Sequence, residues 1–190
     1  MYSNLFKHIQ RFVELSESEV MILTTTLQSH NLKKKEYILK EGQVCKGMYF
    51  VEKGCLRMYF INNKTSEQII QFALDGWWIS DYFSFMDNKP SEYYIQAVEK
   101  SEVLSIDMNI FDNLLKELPP LERYFRIVMQ RALAAIQLRS KYLYEMSKEE
   151  FYQHFSTSFP EFVQRVPQYM IASYLGLTPE YVSEIRKKKQ

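Results

Sequence analysis

Apolar positions along the chain change period three times. Up to about residue 30 they fall at helical intervals. Ser16 and Glu19 have the spacing of a capping box, and Val20, Leu23 and Leu27 come after them at intervals of three to four residues. Between 33 and 107 the pattern becomes that of strands. The stretch "MYFVEKGCLRMYFI" (48–61) is rich in β-branched and aromatic residues and is punctuated by Gly54, and "EQIIQFAL" (67–74) and "SEYYIQAVEKSEVLSID" (91–107) continue in that style. Short strands between polar turns, without strand–helix alternation, predict an antiparallel sandwich or roll and no parallel sheet.

From residue 118 the period lengthens again. Leu118, Leu121, Phe125, Val128, Ala132, Ala135, Arg139, Tyr142 and Met146 recur at 3-4-3-4 spacing, which predicts a long helix over 118–146 with a continuous seam. A seam of this kind fits a helix laid on its own sheet or a contact between two copies of the chain. Two features favour the second. Ala132 and Ala135 are small enough for close approach of two helices, and a second apolar line (Leu133, Ile136, Leu143) is available to face the sheet. On this reading Leu121, Phe125, Val128, Ala132, Ala135 and Tyr142 form a dimer contact. Arg139 breaks the seam and needs a carboxylate or an exit to solvent.

A second capping box, Ser147 to Glu150, starts a new helix, and Pro160 and Pro167 break the rest of the chain into short pieces. The division expected is 1–117 for a β-rich body, 118–146 for a connecting helix, and 147–190 for a small helical domain. The fold class is α+β. In "QYMIASYLGLTPEYVSEIRKKK" (168–189) Met170 or Ile171, Ala172, Tyr174 and Leu175 give the first helix an apolar side. Gly176 supplies the turn, Thr178 caps the next helix with Pro179 in its first turn, and Val182 and Ile185 face back inward. This is the pattern of a helix-turn-helix. It leaves Thr178, Glu180, Tyr181, Ser183, Glu184 and Lys187 outward, with Gln168 and Arg186 to Lys189 (Lys187 and Lys188 included) placed to meet phosphates. An ordinary α-hairpin with a solvated basic tail has the same pattern.

Composition narrows the chemistry. The net charge of +1 gives nucleic-acid binding no general support, so that case rests on the basic cluster at the end. No apolar run approaches a membrane span, and the start does not read as a signal peptide. Two cysteines, Cys45 and Cys55, suggest a reducing, cytoplasmic setting. No histidine occurs from 31 to 153, which argues against a cupin-type catalytic metal in the roll, and nothing resembles a nucleophile triad. Neither a catalytic residue, a metal site nor a cofactor is expected.

The order of elements resembles the Crp/Fnr family of bacterial transcription regulators over essentially the whole chain. "EGQVCKGMYFVEKGCLRMYF" (41–60) is similar to the family's early roll strands, "DGWWISDYFSF" (75–85) to its effector segment, and "IASYLGLTPEYVSEIR" (171–186) to its helix-turn-helix. The resemblance implies a homodimer, an N-terminal effector-binding roll, DNA as the partner, and RNA polymerase as a further one. It also exposes departures. Members that bind cyclic AMP use a glutamate in the effector segment and an Arg-Ser pair ten residues later; these positions are Asp81, then Ser91 and Glu92, and no arginine occurs from 58 to 122. The polar pair that touches the purine aligns with Ala135 and Ile136. The iron–sulfur branch requires four cysteines, and His8, His30 and His154 are expected outside the roll, away from a haem site. Cyclic AMP is therefore not the expected effector. Trp78, Asp81, Tyr82, Ser91, Glu92 and Tyr93 instead outline an aromatic pocket for an unknown neutral or cationic ligand, or one that has collapsed. The alternative to a regulator is a ligand-binding or protein-interaction module whose terminal hairpin no longer binds DNA, since Glu180 and Glu184 weaken attraction to phosphate.

Overall fold

Strands buried on both faces explain why the middle of the chain reads as nearly continuous apolar residues. A computed structural model describes residues 3–187. Two short helices, α1 (Ser3–Gln10) and α2 (Glu17–Thr26), precede eight strands: β1 (Leu27–Leu32), β2 (Tyr37–Leu39), β3 (Gly47–Lys53), β4 (Cys55–Ile61), β5 (Glu67–Leu74), β6 (Trp78–Ile79), β7 (Tyr94–Ala97) and β8 (Ser101–Asp107). They form two four-stranded sheets in the orders β1-β8-β3-β6 and β2-β7-β4-β5. Pairing is antiparallel, with Leu27 opposite Ile106 and Tyr49 opposite Ser105. This is the predicted roll.

Side chains alternate between two cores. Tyr49, Val51 and Val103 point between the sheets with Leu39, Leu56, Ile79 and Ile95. Met48, Phe50, Leu104 and Ile106 point the other way, against the helices. Between β3 and β4 the chain turns at Gly54, whose φ is 113°, and a Cβ there would come within 2.3 Å of Ser101 Oγ, so no other residue fits.

The helical reading of the first 30 residues holds to Thr26 and then fails. Leu27 begins β1, because alternation along Leu27–Leu32 lets its backbone pair with β8. His30 consequently lies inside the roll, not outside it, with Nε2 2.8 Å from Ser105 Oγ. The Ser16–Glu19 capping box forms as predicted. At α1 the Glu52 carboxylate of β3 accepts from the backbone N–H of Asn4 at 2.7 Å and of Leu5 at 3.0 Å.

Two further helices are α3 (Tyr82–Asp87), between β6 and β7, and α4 (Met108–Glu117), after β8. The long helix, α5, runs Pro119–Glu145, close to its predicted bounds. Its first turns belong to the chain's own core: Leu121 and Phe125 are 1% and 5% exposed, and Val128 packs partly buried beside them. Leu121 and Phe125, expected in a dimer contact, are thus taken up by the chain's own core, with Val128 at its margin. Further along α5, residues of both apolar lines are largely uncovered. Ala132 and Ala135 are exposed, Tyr142 is half-buried against His154, and Leu133, Ile136 and Leu143, expected against the sheet, lie open to solvent. At the root of α5, Trp78 Nε1 donates to Tyr124 Oη (2.8 Å), which shares a 2.7 Å hydrogen bond with His8 Nδ1. Tyr124 is fully buried, so a polar chain joins α1, β6 and α5 inside the core.

Compact units divide inside α5. One comprises residues 1–60 and 70–129, the other 61–69 and 130–190. The boundaries expected at 117/118 and 146/147 lie near the ends of α5 instead. The second unit adds α6 (Lys148–Ser158), α7 (Pro160–Arg165), α8 (Gln168–Leu175) and α9 (Pro179–Lys187). The terminal pair is too small to bury a core alone, and α6 and α7 supply the rest: Phe151, Phe155 and Phe162 are buried, with Phe155 packing on Tyr174 at 5.7 Å. No described helix is long and apolar enough to cross a membrane.

Candidate nucleic-acid interface and effector segment

The turn between α8 and α9 forms as the sequence requires. Gly176 takes φ 70°, the left-handed conformation that glycine adopts at least cost, and Leu177 N–H donates to the Ala172 carbonyl at 2.8 Å. Thr178 Oγ1 accepts from Tyr181 N–H at 3.2 Å, capping α9, with Pro179 as its first residue. Ala172 and Val182 are fully buried and Ile185 nearly so, which turns the opposite face of α9 outward. On that face Thr178, Glu180, Ser183, Glu184, Arg186 and Lys187 are exposed, and Tyr181 is half-buried. Lys188 and Lys189 lie outside the described residues.

Gln168 joins the two helices. Its Nε2 donates to Ser183 Oγ at 3.3 Å and its Oε1 accepts from Arg186 Nη1 at 3.1 Å. Three expected DNA contacts thus form one hydrogen-bonded group on the outer face. The pairing keeps Arg186 beside the α8 N-terminus, where the positive end of the helix dipole also favours an anion.

The effector segment is self-satisfied. Asp81 is 4% exposed and caps α3: Oδ1 accepts from Phe83 N–H at 3.1 Å and Ser84 N–H at 3.2 Å. Its other oxygen accepts from Ser91 Oγ at 2.6 Å. Ser91 Oγ in turn accepts from Tyr93 N–H at 3.0 Å. The two positions that would flank a cyclic phosphate are therefore bonded to each other. Glu92 is exposed beside them, and burial together with the negative Asp81 and Glu92 raises the Tyr93 phenol above its ordinary value.

Two residues expected in this pocket serve elsewhere. Trp78 is a core ring, packed edge-on against Phe50 at 5.2 Å and Phe125 at 5.1 Å. Tyr82 packs against the same core, and burial pushes its phenol up to about 12. Asp81, Ser91 and Tyr93 do converge. Arg57, the one arginine between residues 12 and 122, is 4% exposed, with Nε and Nη2 2.9 and 2.6 Å from Gln96 Oε1. It also lies over the Tyr59 ring at 4.3 Å.

A further group went unread in the sequence. Arg139 Nη2 donates to the Tyr174 carbonyl at 2.6 Å, and its guanidinium lies 4.3 Å from the Tyr174 ring centre. The arginine that broke the seam thus finds a carbonyl and a ring, not a carboxylate. Its position as the polar exception on an apolar stripe was the available signal.

Residues 29–117 match the cyclic nucleotide-binding domain. Among curated proteins, the chain is 26% identical over 183 residues to the regulatory protein HlyX of Actinobacillus pleuropneumoniae, covering 90% of this chain and 75% of that protein. It is 28% identical over 183 residues to the fumarate and nitrate reduction regulatory protein of Vibrio cholerae, covering 90% and 72%. A solved structure of a regulator assigned to the Crp/Fnr family from Eubacterium rectale superposes with a TM-score of 0.69 at 16% identity, over 92% of this chain and 83% of that one.

Proposed function

We propose, from the premise that this chain belongs to the Crp/Fnr family of regulators, that it is a cytoplasmic, non-enzymatic transcription regulator that binds DNA as a homodimer through α9. The observation that carries this reading is the sidedness of α9. Val182 and Ile185 are buried against α8, while Glu180, Ser183, Glu184 and Lys187 are exposed together. A helix held this way is suited to a major groove, its side chains reaching base edges and its basic end meeting phosphates. Glu184 is able to accept from a cytosine amino group. The target is a near-palindrome, its half-sites about 34 Å apart to match two copies.

Cyclic AMP is not the effector on this reading. A nucleotide phosphate would meet the committed Asp81 carboxylate and the exposed Glu92, with no arginine in the segment to receive it. The partner copy meets the open half of α5 through Leu133, Ile136 and Leu143, with Ala132 alongside to permit close approach. RNA polymerase is the partner expected if the bound dimer activates.

Selection from a random DNA library at low salt tests the proposal. Enrichment of a two-fold symmetric sequence supports it. The absence of any enriched sequence, with cell extract present to supply an effector, would make the terminal pair a protein-interaction element.

A further inference from the structure

We infer that the turn between β4 and β5 is a positioning device for the DNA-facing helix pair, working through Ser173, Gln68 and Arg139. The inference rests on the DNA-binding reading and concerns how that site is held.

Strand β5 is last in its sheet, beside β4, so alternate backbone groups along it point away from β4. At residues 67 and 69 this edge meets α8. Ser173 Oγ donates to the Glu67 carbonyl at 2.8 Å and accepts from the Ile69 N–H at 3.0 Å. One hydroxyl takes the place that a neighbouring strand's backbone would occupy. The other side of the contact is the last turn of α8, where carbonyls also accept from side chains outside the helix. Gln68 Nε2 donates to the Ser173 carbonyl, and Arg139 of α5 donates to the Tyr174 carbonyl while stacking on that ring. Backbone groups of a strand edge and of a helix end are thus joined through three side chains.

Location gives the contact its meaning. Ser173 and Tyr174 stand just before Gly176, where the chain turns into α9. Fixing them fixes the direction in which α9 departs. None of these contacts involves Thr178, Glu180, Ser183, Glu184 or Lys187, which stay exposed. The arrangement orients the reading face without covering it. Loosening it leaves α9 intact, and the orientation must then be recovered on binding DNA, at a cost in affinity.

Ser173→Ala removes both bonds to β5, and Ser173→Thr keeps the hydroxyl. Affinity for the selected DNA site is expected to fall roughly 5–50-fold in Ser173→Ala and to recover in Ser173→Thr. The salt slope should stay unchanged, since no phosphate contact is lost. Independently of DNA, spin labels on Lys64→Cys and Tyr169→Cys report the geometry directly. Both native cysteines are buried, so labelling is selective. A narrow distance distribution should broaden in Ser173→Ala and narrow again in Ser173→Thr. An unchanged distribution in Ser173→Ala overturns the inference. So does DNA binding as tight as, or tighter than, that of the parent protein. A parent protein that binds no DNA, with broadening still present, refutes the DNA reading and its positioning role while leaving the contact itself.

Discussion

A glutamate at Ile136 replaces a side chain that is 62% exposed in the single chain with a charge that a two-helix contact must dehydrate. Fully burying a leucine or isoleucine is worth about 1.5–3 kcal/mol. Leu133, Ile136 and Leu143 are 57%, 62% and 47% exposed, so a contact that covers them gains about 1–2 kcal/mol per residue, on the order of 5–10 kcal/mol for both copies. Association costs about 4–15 kcal/mol in lost freedom. The surplus is small, and the loss of one residue pair must be visible. Removing Ile136 from both copies forfeits about 2–4 kcal/mol of burial, and two dehydrated carboxylates add to it. At about 1.4 kcal/mol per tenfold, the dimer Kd should rise at least ~100-fold. Sedimentation equilibrium across a concentration series measures it directly. Val128→Glu is the companion, because Val128 packs against the chain's own core and its change should lower Tm in the monomer too. An unchanged Kd in Ile136→Glu refutes the reasoning. Dissociation by Val128→Glu alone, with the monomer's Tm unmoved, would return the contact to the seam that the apolar spacing suggests.

Tyr124→Phe leaves the Trp78 N–H and His8 Nδ1 short of a buried partner, and denaturant unfolding should show a loss of about 1–3 kcal/mol, where no change would mean the hydroxyl is dispensable. Asp81→Ala removes the cap of α3 and the bond to Ser91, so stability should fall by about 1–2 kcal/mol, while calorimetry with cyclic AMP should give no heat of binding in either form. Lys187→Ala should reduce the salt slope of DNA binding by about one unit at every sequence, whereas Glu184→Ala should relax preference at one base pair by about 1–3 kcal/mol and leave the slope alone. Burial raises the Tyr82 phenol to about 12 and raises those of Tyr49 and Tyr124 as well. Groups raised above an unfolded value of about 10 contribute stability that is full below that pH and lost as pH rises through the folded value; a denaturation midpoint that stays flat from about pH 9 to 12 would contradict this.

The parts of the fold that announced themselves were those fixed by local chemistry. Both capping boxes, the glycine turn at Gly176 and the inward Val182 and Ile185 are set by residues a few positions apart, and each forms as expected. What misled was apolar pattern without knowledge of what covers it. The end of the first helical stretch and the start of β1 share apolar residues, and only pairing with β8 distinguishes them. The two apolar lines of α5 are nearly equivalent in sequence, and which one packs inside depends on how the helix root meets the roll. At the effector segment, residue types were legible but their mutual bonding was not. Asp81 and Ser91 are ten positions apart, and their 2.6 Å contact depends on α3 folding between them. The contact at Ser173 joins residues more than a hundred positions apart and left no periodic trace.

The buried chain from Trp78 to Tyr124 and His8 has an optical consequence. The protein contains two tryptophans, and their surroundings differ sharply: Trp77 is 43% exposed, whereas Trp78 is 7% exposed and hydrogen-bonded to a residue on α5. Iodide should quench the first and spare the second, which separates two emission bands in the unmodified protein. The protected band belongs to an indole tied to the base of α5, so any ligand or partner that shifts that base against the roll changes its wavelength. A screen of small molecules for binding can therefore begin in a fluorimeter cuvette, with no label attached.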